Sequence, residues 1–325
     1  MRESGKLRLI GTFCVFFSVM STPIFASGIF WSDQQTKQIS RANLDGSNVQ
    51  PVVAAGLDTT RGIAIDPIAQ KVYWTEYGGA VIGVKIATAN WDGTGAHDLV
   101  TSGIAGPAGI DLDIIHGKMY WTDNALRTIK RANLDGTAVE TIVSPETADI
   151  IFPWGIAVDG IAGKVYWVDS SILKISRANL DGTGVEELLL PGPNFTITGP
   201  LFGIALDPLH GKMYFTNSNE KIQRANLDGS GIEDIVTTAL HTPRDLDVDP
   251  IAQKLYWVDP AFGDGHGGVF PATLNRANLD GSGIVTLETS LNGGYSSIAV
   301  DSVVPEPSCA ALSLLLASVG FWRRR

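Results

Sequence analysis

Short apolar runs recur along the chain in a fixed order, each set off from the next by a polar turn. The first run of each unit is almost wholly apolar and ends on aspartate: Gly62–Asp66, Gly109–Asp113, Gly155–Asp159, Gly203–Asp207, Asp245–Asp249 and Ser297–Asp301. A turn and a lysine lead into a second run with an aromatic middle and a polar end, at Tyr73–Glu76, Tyr120–Asp123, Tyr166–Asp169, Tyr214–Asn217 and Tyr256–Asp259. At the start of the array Phe30–Asp33 stands without a preceding apolar run. The third run reads Arg-Ala-Asn-Leu-Asp-Gly from Arg41, Arg131, Arg177, Arg224 and Arg276, with the variant Thr88–Gly93 in the second unit. A fourth mixes charged and apolar residues, as in Val185–Leu190.

β-Branched and aromatic residues dominate these runs, which is strand chemistry, and Asp-Gly predicts two-residue type I′ hairpin turns. Each unit therefore reads as four short antiparallel strands, the apolar first strand innermost and the charged last strand an outer edge. A period of about 45 residues with four strands per repeat points to an all-β propeller, because one blade cannot bury both of its faces alone. The first unit lacks an inner strand and the Ser297–Asp301 copy lacks the other three. Joined, they complete one blade from both ends of the array, and the ring has six.

Tyr120-Trp121-Thr122-Asp123 and its near copies resemble the YWTD repeats of the low-density lipoprotein receptor class B family, over nearly all of the chain between its end segments. That resemblance implies a six-bladed YWTD-type propeller over residues 27–302. The Cys-rich and EGF-like modules of those receptors are missing from the sequence, so receptor biology is not implied. A residue type that recurs in every blade serves architecture before it serves a single site. Trp31, Trp74, Trp121, Trp167, Phe215 and Trp257 are expected to fill the space between blades. Asp33, Glu76, Asp123, Asp169, Asn217 and Asp259 are expected to accept hydrogen bonds from neighbouring strands or arginines.

Function is then expected where blades differ, on the loops at one end of the ring. The residue before each inner-strand run varies most: Arg61, Ala108, Trp154, Phe202, Arg244 and Ser296. Aromatics and arginines around a concave centre are the residue types that anchor interfaces. Arg61, Trp154, Phe202 and Arg244, with Tyr295 beside them, form the candidate contact set; alternatively Trp154 and Phe202 plug the axis. The longest loop, Pro260–Phe270, adds Phe262, while its Asp264 and His266 are too few ligands for a metal site.

The ends carry an address. Arg2, Lys6 and Arg8 precede an apolar run from Leu9 to Met20 and a small-residue exit at Ala26, the pattern of a signal peptide over residues 1–26. Residues 303–325 place Pro305-Glu306-Pro307 before an apolar run, Ala310–Trp322, and the terminal Arg323-Arg324-Arg325. This segment resembles the PEP-CTERM sorting signal of exopolysaccharide-producing Gram-negative bacteria. It implies processing by an exosortase, transient membrane association through the C-terminal segment, and a place in the cell envelope, on the outer surface or in the extracellular matrix. Both cysteines, Cys14 and Cys309, fall in these end segments, so the propeller has no disulfide or catalytic thiol.

A net charge of −10 argues against a nucleic-acid partner. No nucleophile elbow, zinc motif or phosphate loop occurs. No cofactor is implied, and calcium, used by lactonases of similar fold, has no ligand motif here. The sequence therefore reads as a non-enzymatic binding module for an unknown protein, peptide or glycan. The alternatives are a structural matrix or biofilm component and a calcium-dependent lactonase-like hydrolase working through axial acids such as Asp111, Asp245 and Asp247.

Overall fold

The computed structural model describes residues 27–301 except 55, 79–82, 190–198, 219–220, 239, 264–268 and 291–292. The expected signal and sorting segments lie outside the described residues. Six four-stranded antiparallel sheets surround a common axis. Blade I joins Tyr295–Val300 to Gly28–Asp33, Gln38–Asn43 and Gln50–Val53. Blade II runs from Thr60 to Val100, blade III from Pro107 to Val143, blade IV from Pro153 to Leu189, blade V from Leu201 to Val236 and blade VI from Asp245 to Ser290. Closure occurs where expected: Ile29 pairs with Val300, Trp31 with Ile298 and Asp33 with Tyr295.

The apolar interior is divided among six seams, one between each pair of neighbouring blades. Strand parity explains how one motif serves two seams, because successive side chains point to opposite faces. Tyr73 of blade II and Trp121 of blade III meet in one seam, and Tyr120 of blade III and Trp167 of blade IV meet in the next. Trp121, Trp167, Phe215 and Trp257 are fully enclosed, as the space-filling role requires.

The Asp-Gly turns differ from expectation. At the first, the Gly46 amide donates to Asn43 O at 2.9 Å and the Asn43 amide donates to Ser47 O at 2.9 Å. Gly46 has a positive φ of 84° while Leu44 and Asp45 do not, so this is a three-residue connection closed by a glycine bulge rather than a type I′ pair. The glycine is required twice over. At Gly182, with φ of 83°, a Cβ would also overlap the backbone carbonyl of Ile142 in the preceding blade.

Arginines of the third strands fasten the seams from outside. Arg131, Arg177, Arg224 and Arg276 donate Nη1 hydrogen bonds of 2.8–3.0 Å to Leu180 O, Leu227 O, Leu279 O and Leu44 O of the next blade. In blade II this position is Thr88, which donates instead to Val72 O of its own blade. The seam between blades II and III thus lacks the guanidinium bridge.

Two glycine substitutions separate backbone strain from crowding. Gly163 has φ of 67° and open space where a Cβ would sit, so Gly163→Ala should cost about 1–2 kcal/mol. Gly182→Ala should cost about 2–5 kcal/mol, because overpacking against Ile142 adds to the same strain. Denaturant unfolding of both variants measures the difference, and equal losses would refute the crowding argument.

Candidate functional site

The approaches to the inner strands and the loops after the second strands share one end of the ring, the upper face. Two motif residues organise it. Thr75 Oγ1 accepts from the Gly62 amide at 2.9 Å and donates to Ala108 O of blade III at 2.6 Å. Thr122 likewise accepts from the Gly109 amide and donates to Trp154 O, and Thr216 accepts from the Gly203 amide and donates to Arg244 O. Where Val168 replaces the threonine, Ser170 Oγ reaches Leu201 O instead. The threonine hydroxyl therefore fixes the backbone of the variable residue in the next blade.

The motif acid fixes the loops. Asp123 accepts from the amides of Ala105, Gly106 and Leu126. Asp169 accepts from Ile151 and Phe152, Asp259 from His241 and Thr242, and Asp33 from Gln35 and Gly294. Glu76, one methylene longer, takes the Trp74 indole N–H at 2.7 Å. The expectation of strand or arginine donors gives way to loop amides, because these carboxylates sit at the strand ends, where the loops leave amides without ladder partners.

Four predicted residues meet over the axis. Two guanidinium groups approach the Trp154 ring of blade IV, that of Arg61 in blade II at 5.1 Å and that of Arg244 in blade VI at 5.9 Å. Phe202 meets the Trp154 ring edge-on at 5.4 Å and lies 4.7 Å from the Arg244 guanidinium. Two residues absent from the candidate set complete the group. Tyr77 lies 3.9 Å from the Arg61 guanidinium, and Phe152 stacks on Trp154 at 5.7 Å. Tyr77 directly follows the motif acid Glu76, a position the loop argument already assigned to this face.

Tyr295 does not join them. It is 4% exposed and packs edge-on against Trp31 inside the seam, where burial raises its hydroxyl pKa. Its neighbour Ser296 faces the site and donates to Thr60 O at 2.8 Å. Phe262 pairs with Phe270 in a small hairpin of the blade VI loop; its side chain, Asp264 and His266 lie outside the described residues.

The arginines of the cluster make no contact ion pair within the described chain, although the Asp123 carboxylate acts on Arg61 from farther off. Outer-rim arginines pair with glutamates, as Arg131 with Glu140 and Arg177 with Glu186. Among the described residues no carboxylate lies in ion-pair contact with Arg61 or Arg244, and Arg61 Nη1 is buried without a hydrogen bond. Burial lowers both guanidinium pKa values; on Arg61 Tyr77 and Asp123 oppose the shift while the Arg244 charge adds to it.

Beneath Trp154 an axial cavity of about 220 Å³ is lined by inner-strand backbone and by Asp111, Asp245 and Asp247. Burial pushes these carboxyls up to about 7, 6 and 8 respectively. Each bridges neighbouring blades: Asp111 accepts from the Val158 amide at 2.7 Å, Asp247 from the Val300 amide at 2.8 Å, and Asp245 from Ser297 Oγ at 2.6 Å. Ser297 Oγ in turn accepts from the Ile63 amide, so a polar chain crosses both seams of the closing blade. These acids spend their oxygens on the ring itself. Among the described residues no three His, Cys, Asp or Glu side chains converge as a metal site.

The model of the low-density lipoprotein receptor repeat class B family matches residues 28–67 and 117–159. Human low-density lipoprotein receptor-related protein 4 is 48% identical over 44 residues, which are 14% of this chain and 2% of that protein. Drosophila melanogaster nidogen is 35% identical over 48 residues, 15% of this chain and 4% of that protein. The matched stretches are thus a small fraction of these relatives. Among solved structures, a chain of the nidogen/laminin complex superposes with a TM-score of 0.69 at 19% identity, covering 85% of this chain and 98% of that one. A putative TolB from Agrobacterium tumefaciens superposes at 0.62 with 13% identity, covering 84% and 92%. Both carry the propeller fold.

The axial acids make stability depend on pH. Each binds its proton more tightly folded than unfolded, so their stabilising contribution is complete below pH 4 and is lost as pH rises through about 6–8. Across that upper range the melting temperature should fall by roughly 5 °C or more, and Asp247→Ala should flatten the dependence. A melting temperature that rises from pH 6 to 9 would contradict this.

Proposed function

We propose that the chain is an exported, non-enzymatic propeller that binds an extended acidic segment of a protein partner across its upper face. The observation that carries this reading is the pair of desolvated arginines against Trp154, neither of them in ion-pair contact with a carboxylate of the described residues. In a chain of net charge −10, two desolvated guanidinium groups against one tryptophan ring are complementary to carboxylates brought by another molecule. Tyr77, Phe152 and Phe202 supply the aromatic surface on which such a segment packs. The match to class B receptor repeats supports a protein ligand over a glycan. Export by the signal peptide, exosortase processing at Pro305–Pro307 and a place in the cell envelope of a Gram-negative bacterium belong to the same reading.

The test is titration of the purified chain with acidic peptides from secreted host proteins, with charge-neutral versions of the same peptides, and with uronate-rich polysaccharide. Saturable binding to an acidic peptide should weaken at least tenfold in both Arg61→Ala and Trp154→Ala, about the loss expected at an interface anchor. It should also weaken with salt. Binding of polysaccharide alone, or peptide binding indifferent to both substitutions, would overturn the proposal.

A further inference from the structure

The opposite end of the ring, its lower face, carries a feature that ligand binding above does not use. Here the turns between inner and second strands each present one large apolar side chain to solvent. Ile68, Ile115, Ile161 and Leu209 are 83%, 68%, 88% and 70% exposed, and Ile251 is 45% exposed. Blades II to VI each contribute one, and the tips encircle the axis. Isolated exposed apolar residues are unremarkable, but one at the same place in every blade with such a turn forms a concentric patch.

Their exposure is built in. The buried aspartate ending each inner strand clamps the turn: Asp66 Oδ1 accepts from Ile68 and Ala69 amides, Asp159 Oδ1 from Ile161 and Ala162, and Asp249 Oδ1 from Ile251 and Ala252, all at 2.8–3.1 Å. Asp113 and Asp207 hold the corresponding amides of His116 and His210. A turn closed on a buried carboxylate holds its apolar tip outward at no further conformational cost.

Blade I has no such tip, and the chain termini explain the place. The Asp301 amide donates to Gly28 O at 2.9 Å, so the described chain both enters and leaves on this face. The sequence that continues from Asp301 carries the apolar run Ala310–Trp322 and the three terminal arginines. The described chain therefore ends at the one place in the ring of apolar tips that carries no tip, and the sequence continues from there into an apolar run. Lysines begin the second strands beside the tips (Lys71, Lys118, Lys164, Lys212 and Lys254), while exposed aspartates of the Asp-Gly turns, such as Asp92 and Asp181, form the outer rim.

We propose that the lower face rests on a lipid bilayer, its five apolar turn tips in the interfacial region and its arginine-bearing upper face turned outward. The inference rests on the membrane association read from the C-terminal segment, and adds to it which face meets the lipid. Until processing at Pro305–Pro307 removes it, the C-terminal segment supplies a high local concentration, so five shallow insertions suffice where they would not hold a free protein. The acidic rim makes zwitterionic lipid the favoured surface.

The test uses residues 27–325, the exported chain without its signal peptide, with Cys309 replaced by serine and one environment-sensitive fluorophore attached at Ile161→Cys, at Leu209→Cys or, on the upper face, at Phe152→Cys. Flotation with phosphatidylcholine vesicles reads association, and quenching by a nitroxide-bearing lipid reads contact. The expected result is flotation, with several-fold brightening and strong quenching at both lower-face positions and neither at Phe152→Cys. Failure to float would overturn the membrane reading itself. Flotation with lower-face probes still in water would overturn the orientation alone. Probes already shielded without lipid would overturn it in favour of cover by the chain's own tail or a second copy, which sedimentation distinguishes.

Discussion

A blade with two apolar faces has no stable existence by itself, and everything in this molecule follows from the need to give every face a neighbour. In an open array two faces would meet water. The ladder between Gly28–Asp33 and Tyr295–Val300 removes both at once. With no cysteine between the end segments, that ladder and the polar chain Asp245–Ser297–Ile63 close the ring without a covalent link. The last inner strand belongs to the first blade, so the ring closes only when the whole repeat array is present.

The repeated residues divide this labour by depth. Paired aromatics fill alternate faces of each blade, arginines tie the outside, and inner-strand glycines let neighbouring strands approach around the axis. Where Asp245 and Ser297 stand in place of that glycine, side-chain hydrogen bonds replace close backbone contact. Asp245 brings a carboxylate to the axis at that position, Asp111 and Asp247 do so two residues past it, and their elevated proton affinity is the electrostatic consequence of using acids as mortar.

Most of this architecture is legible in the sequence because strand parity and repeat spacing are local properties copied many times. The readings that failed depended on one residue of register or on distance along the chain. Tyr295 is adjacent to the variable position at Ser296, and a shift of one residue sends a strand side chain to the other face. The Asp-Gly dipeptide does not by itself reveal whether a connection has two residues or three; the pairing of Asn43 with Ser47 decides that. Tyr77 and Phe152 meet Arg61 and Trp154 within their own blades, but from the loop after the second strand and from the approach to the inner strand, outside the one variable position that the aligned repeats pick out. The clustering of Arg61, Trp154, Phe202 and Arg244 was readable because the aligned repeats expose which position varies.

The way the motif threonine grips the next blade separates framework from specificity. Thr75, Thr122 and Thr216 hold the backbone carbonyls of residues 108, 154 and 244 and make no demand on their side chains. Alanine, tryptophan and arginine occupy those places in one molecule at no evident expense to the ring. Selection can therefore rewrite the upper face one residue at a time while the scaffold stays fixed, much as hypervariable loops diversify on an antibody frame. A single duplicated blade, once established, becomes a source of new recognition surfaces.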